Sequence, residues 1–120
     1  MNTRFRVVED TINGHKLITL DDFVSATTLI DLWDSGSLTQ RDKYTIELPQ
    51  GNLIHPTARY INHSCDPSAY IEPISGLVIA IQDIPRYSEI TINYLLSESE
   101  ISQPFNCRCG SQNCIGRISS

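Results

Sequence analysis

No stretch of this chain approaches the roughly 20 consecutive apolar residues that a bilayer-spanning helix needs. Its opening residues, MNTRFRVVED, also lack the apolar run of a secretion signal. The chain is therefore expected to be made and kept inside a cell, in cytoplasm or nucleus, away from any membrane. Basic residues are in short supply as well, with 9 Lys and Arg against 14 Asp and Glu and a net charge of -5. A surface built to neutralise nucleic-acid phosphates needs the opposite balance, so direct nucleic-acid contact is not expected. An acidic surface suits a basic partner such as a lysine-rich peptide. Internal repeats, low-complexity tracts and helical periodicity beyond two turns are missing too. What remains, 120 residues of which 40% are hydrophobic, suffices for one compact domain around one modest core.

The patterns present are those of short strands. Arg4 to Val8 and His15 to Leu20 read as two strands joined at Asn13-Gly14, a strong turn signal. Thr27 to Leu32 is β-branched and aliphatic, and it ends in the polar stretch Asp34-Ser35-Gly36-Ser37. Tyr44 to Leu48 alternates, with Tyr44, Ile46 and Leu48 on one face. Pro49 to Pro56 is rich in breakers and is expected as loop, with a single helical turn over Thr57 to Ile61. Ala69 to Ile74 and Leu77 to Ile81 form a hairpin about Ser75-Gly76, Ile90 to Leu95 is one more strand, and the tail after Pro104 has no periodic segment. The fold class is mostly β with irregular connections, and strand order is open.

Four cysteines in a reducing compartment are metal ligands or free thiols more readily than disulfides. Cys107, Cys109 and Cys114 form C-x-C-x4-C near the C-terminus, and Cys65 lies far upstream in Asn62-His63-Ser64-Cys65. Three close thiols and a distant fourth make a complete tetrahedral set for zinc, which irregular loops can hold because the ion imposes no d-electron geometry. Gly110 and Gly116 supply tight bends. Two disulfides or unrelated buried thiols are the alternatives. If all four bind one ion, Cys65 and the tail must meet.

The run Arg59-Tyr60-Ile61-Asn62-His63-Ser64-Cys65-Asp66-Pro67 resembles the R-F-x-N-H-S-C-x-P-N signature of SET-domain lysine methyltransferases. Glu89-Ile90-Thr91-Ile92-Asn93-Tyr94 is similar to that family's E-E-L-T-x-D-Y element, and Cys107 to Gly116 resembles its post-SET zinc motif. The resemblance implies a small SET-type fold of short strands and sheets with a knot-like active site, closed by a C-terminal post-SET zinc loop. It implies a SET domain over residues 1–96, best matched over 59–94, and a zinc-binding tail over 97–120. It further implies an S-adenosyl-L-methionine-dependent protein-lysine N-methyltransferase acting on a lysine-containing protein or peptide. Tyr94 would be catalytic and would also touch the cofactor, together with Asn62, His63 and Arg59, and one structural Zn2+ would sit on Cys65, Cys107, Cys109 and Cys114. A phenol suits that role, since it can orient the reacting groups while staying neutral at about pH 7, well below its reference pKa of ~10.

The N-terminal cofactor loop of the family, G-x-G-x-F, falls on Gly14-His15-Lys16, so Gly14 and His15 join the candidate cofactor residues while Lys16 replaces the second glycine. Ala26 stands where a turn glycine is usual, Tyr87-Ser88 replaces Gly-Glu, and Asn93 replaces Asp. Ile92 occupies a position where the family often carries Phe or Tyr, and with Tyr94 and Tyr44 it is a candidate to line a lysine channel. Two other classes stay open: a catalytically inactive SET-like, zinc-stabilised binding module, motivated by Lys16, and a purely structural zinc domain. A homodimer is one open assembly state.

Overall fold

The computed structural model describes residues 4–11, 14–42, 44–97, 105–107, 109, 111–112 and 114–118. Asn13, Pro104 and Gly110, singled out in the sequence, lie outside the described residues. In chain order the strands are β1 (Phe5–Asp10), β2 (Gly14–Thr19), β3 (Thr28–Asp31), β4 (Ser37–Leu38), β5 (Ile46–Leu48), β6 (Gly51–Ile54), β7 (Asn62–His63), β8 (Ala69–Glu72), β9 (Leu77–Ala80), β10 (Thr91–Ile92), β11 (Phe105–Asn106) and β12 (Arg117–Ile118). A 3-10 turn (Ala58–Tyr60) precedes β7, and one short helix, α1 (Tyr94–Ser97), follows β10.

β1 and β2 pair antiparallel from Phe5↔Thr19 to Asp10↔Gly14, and Gly14 takes a φ of 85°, a left-handed value suited to closing a hairpin. β3, β9 and β8 make one antiparallel sheet and β4, β6 and β5 another. Parallel strands need a long crossover between them; β7 and β10 have one, with the β8–β9 hairpin lying between them in sequence. Apolar residues of the strands and of the segments joining them converge on a single core in which Leu17, Leu32, Leu53, Val78, Ile84 and Ile90 are fully buried. Each such side chain stabilises the fold by about 1.5–3 kcal/mol relative to exposure.

Four expectations from the sequence change. Residues 49–56 are not all loop: Pro49 and Gln50 make a tight turn, Gly51 sits at φ 140°, and β6 pairs on both sides because Leu53 has a core position to fill. Tyr44 stays out of β5, its ring lying 4.7 Å from the Arg59 guanidinium. The strand expected over Ile90 to Leu95 stops at Ile92, where Tyr94 begins a helical turn. The tail also carries regular pairing, between β11 and β12, anchored by the buried Ile118.

Ala26 and Tyr87, two of the three positions where family glycines are replaced, keep left-handed backbone, at φ 72° and φ 66°. Lys16 instead lies in regular pairing with Val8. A non-glycine residue in the left-handed region costs roughly 1–2 kcal/mol, against about 0.4–1 kcal/mol gained from the stiffer unfolded chain. Ala26 is exposed and hydrogen-bonds to Ala80 only through its backbone amide. Ala26→Gly should therefore stabilise the protein by about 0.5–1 kcal/mol, read as a higher urea midpoint at unchanged slope. An unchanged or lower midpoint would count against the strain.

Candidate active site and metal centre

The parallel pairing of β7 with β10 sets Asn62 beside Thr91 and His63 beside Ile92. Ser68 locks this arrangement from beneath. Its amide donates to Thr91 Oγ1 (3.1 Å), its hydroxyl accepts from the Thr91 amide (3.0 Å) and donates to the Glu89 carbonyl (3.3 Å). A buried hydroxyl used in both directions removes the desolvation cost that an unpaired one would carry.

Tyr94 leaves β10 with its backbone amide donating to His63 Nδ1 at 3.0 Å. His63 Nδ1 is thus an acceptor, so the ring proton sits on Nε2, which faces the Cys65 sulfur at 3.4 Å. Burial holds His63 below the ordinary histidine range, in keeping with a neutral ring. The Tyr94 hydroxyl donates to the Ile61 carbonyl at 2.6 Å. The rings of His63, Tyr94 and Phe105 meet edge-on, with centroids 5.3 to 5.9 Å apart, and Phe105 is supplied by the tail.

The side-chain amide of Asn62 donates to the His15 carbonyl (2.7 Å) and to Glu89 Oε2 (3.0 Å). Burial pushes the Glu89 carboxyl above its usual range, opposed by the Asn62 bond and the charge of Lys16. The side chain that replaced a glycine is therefore electrostatically coupled to a half-buried carboxylate beside Asn62. The His15 ring lies 5.6 Å from that of Tyr60, and the Arg59 guanidinium packs over both Tyr60 (5.4 Å) and Tyr44 (4.7 Å). Arg59 Nε is buried without a hydrogen-bond partner. Gly14, next to His15, has nothing within 4 Å of where a Cβ would stand. One neighbourhood thus collects Gly14, His15, Arg59 and Asn62. Ile92 is 4% exposed, with its side chain in the core, so Ile92→Tyr would drive a ring into packed interior.

The sulfur atoms of Cys65, Cys107, Cys109 and Cys114 all lie within 4.8 Å of one another, and Cys65 and Cys107 are 3.9 Å apart. Four sulfurs at ~2.3 Å from a tetrahedral zinc would be separated by about 3.8 Å, whereas a disulfide needs ~2.05 Å. The four are free thiols. Burial pushes Cys107 up to about 12. At Cys109 burial also works upward, but hydrogen bonds from Ser111 and from the Cys65 backbone outweigh it and hold the thiol down to about 5. Four thiols packed this closely cannot all ionise without a cation among them, and a divalent ion relieves that repulsion. The donor set fits zinc.

Residues 5–95 match the SET domain family. The chain belongs to that family. It is 44% identical over 61 residues to the methyltransferase flvH of Aspergillus flavus, a match covering 49% of this chain and 34% of that protein. It is 38% identical over 85 residues to a histone-lysine N-methyltransferase, H3 lysine-4 specific, of Eremothecium gossypii, covering 61% of this chain and 9% of the relative. The chain thus spans 34% of the length of the first of these relatives and 9% of the second. The solved structure of KRYPTONITE in complex with mCHH DNA, an H3(1-15) peptide and SAH superposes with a TM-score of 0.71 at 19% identity, over 94% of this chain and 29% of that one. The fold is the SET fold, mostly β, with a cysteine cluster near its C-terminus.

Within this SET domain the sequence motifs named most of the residues that meet. They did not give a role to Glu89, although it opens the second motif, nor to Ser68, which stands where the family has Asn. Phe105 was missed entirely, since nothing in a two-residue distance from Cys107 marks a ring that will cross to Tyr94. Among the described residues no helix is long and apolar enough to cross a membrane.

Proposed function

We propose that this SET domain, over residues 1–96 with a zinc-bound tail over 97–120, methylates a lysine side chain of a protein or peptide inside the cell, using S-adenosylmethionine. The observation that carries the reading is the Tyr94 hydroxyl. Because its proton is committed to the Ile61 carbonyl, the oxygen offers only lone pairs to a reacting group. Such an acceptor can orient an amine N–H or a polarised methyl C–H without transferring a proton. The neighbouring His63 and Phe105 rings exclude water around it, and an apolar surround favours the neutral, nucleophilic form of lysine.

The cofactor would rest on Asn62, His63, His15, Gly14, Arg59 and Tyr94. The orphaned Arg59 Nε is a buried cationic donor suited to an anionic group such as an amino-acid carboxylate, and the open space at Gly14 admits a ligand close to the backbone. When bound, S-adenosylmethionine would supply an electrophilic methyl group on sulfur. Zinc on the four cysteines would tie the Phe105-bearing tail to Cys65, two residues from His63.

The test is zinc-loaded protein incubated with S-adenosylmethionine and an array of lysine peptides that includes the histone H3 tail, read by mass. Gain of one or more methyl groups on lysine is expected. Absence of any measurable heat of binding between S-adenosylmethionine and fully zinc-loaded protein would overturn the reading in favour of a binding module, for which the Lys16–Glu89 coupling is the structural motive.

A further inference from the structure

His55 lies outside every motif, yet it is 6% exposed, and both its ring nitrogens are engaged. Nδ1 faces two backbone donors, the amides of Thr57 and Ala58, each at 3.1 Å. Two donors converging on one nitrogen require a lone pair there, so the proton is on Nε2, which donates to the Asp34 carbonyl at 2.8 Å. The imidazole does what an Asn or Asp side chain does at a helix start, for a 3-10 turn whose own cap residue, Thr57, makes no capping hydrogen bond through its side chain.

That turn leads to Tyr94 through an unbroken chain. The Ala58 amide donates to His55, the Ala58 carbonyl accepts from the Ile61 amide at 3.0 Å, and the Ile61 carbonyl accepts from the Tyr94 hydroxyl at 2.6 Å. We propose that His55 is a positioning residue for Tyr94: its neutral ring caps the 3-10 turn and thereby fixes the carbonyl that orients the Tyr94 hydroxyl. The kinetic consequence rests on the methyltransferase reading, whereas the structural one does not.

Protonating His55 would set a third N–H against Thr57 and Ala58, so acid should release the cap. Burial holds His55 below its ordinary value of 6.5, against the upward pull of the Asp34 carbonyl and the charges of Asp34 and Asp31. Arg59, on the capped turn itself, is the nearby cation in sequence. A histidine depressed in the folded state binds protons more tightly when unfolded, so its contribution is complete above about pH 6.5 and is lost as pH falls below that value. His63 also titrates beside Tyr94, and only a variant at position 55 separates the two.

The experiment is NMR on labelled, zinc-loaded protein, followed from about pH 8 to about pH 5. Nitrogen shifts should show the Nε2–H tautomer of His55, and the Ile61 amide and Tyr94 ring signals should move with the His55 midpoint. In His55→Asn, whose carbonyl oxygen keeps an acceptor for Thr57 and Ala58, that midpoint should vanish while the neutral-pH Tyr94 signals persist. In His55→Ala, amide exchange at Ala58 and Ile61 should quicken roughly fivefold to tenfold, and with an H3 tail peptide as probe kcat should fall with KM nearly unchanged. Tyr94 and Ile61 signals indifferent to His55 ionisation, or unaltered in the Ala variant, would overturn the proposal; should the Ala variant not fold, the Asn variant decides it. A wild-type protein that leaves the peptide unmethylated counts against the methyltransferase reading alone.

Discussion

Tyr94→Phe should slow methyl transfer by about 10²- to 10³-fold, the usual cost of losing one positioned polar group at a reacting centre, while the fold survives. The ring is retained and so are its edge-on contacts with His63 and Phe105. What disappears is the hydroxyl that donates to Ile61. Ile61 is buried, and a carbonyl left without a partner there costs roughly 1–3 kcal/mol, enough to lower the melting temperature by several degrees but not to unfold the domain. Initial rates on a methylated peptide, taken beside a melting curve, separate the two effects. A rate within a few-fold of wild type would remove Tyr94 from the chemistry.

The residues behind that expectation were legible in the sequence because chemistry needs particular side chains in order. Asn62, His63, Cys65, Tyr94 and the tail cysteines fall in three short motifs, and the structure brings Asn62 and His63 alongside the strand that leads into Tyr94 and draws the four cysteines together. The hairpins were legible too, since Gly14 and Gly76 both carry left-handed backbone that their turns require. The gaps have physical causes. β6 was hidden because Pro49 and Gly51 read as breakers, whereas Pro49 opens the tight turn and Gly51 begins the strand that carries Leu53 into the core. β7 and β10 are two residues each, too short for any period to register, and they exist through pairing across a long crossover. His55 is oriented by Asp34 and Phe105 meets Tyr94, both across distances in sequence that no local pattern encodes, and nothing in the sequence marks His55 as the acceptor for the nearby amides of Thr57 and Ala58. The replaced glycines divide by the same logic: Ala26 and Tyr87 accept the left-handed conformation that the fold demands, while Lys16 occupies ordinary strand geometry and brings a charge to Glu89 instead.

Removing the metal should abolish activity and disorder the tail together. Beyond α1, the described residues pair only as β11 with β12, two residues on each strand, and Ile118 is the single fully buried side chain among them. Burying one such side chain contributes about 1.5–3 kcal/mol, whereas fixing even about ten residues costs roughly 10–20 kcal/mol in backbone entropy. Zinc on four thiolates contributes about 10–16 kcal/mol in small zinc modules, a magnitude that closes the gap. Phe105 is the link to chemistry, since its ring packs on both His63 and Tyr94 and goes wherever the tail goes. Treatment with a strong chelator should release one zinc per chain, cut the methyl-transfer rate by at least about 10²-fold, and sharpen the tail amide signals toward random-coil positions. The β1–β2 hairpin and the β3–β9–β8 sheet should persist, because their core does not include the cysteines. Restored zinc should restore the rate. Cys65→Ser, which removes the one ligand outside the tail, should reproduce the loss in the presence of excess zinc, and full activity in metal-free protein would show that the tail is held by something other than the ion.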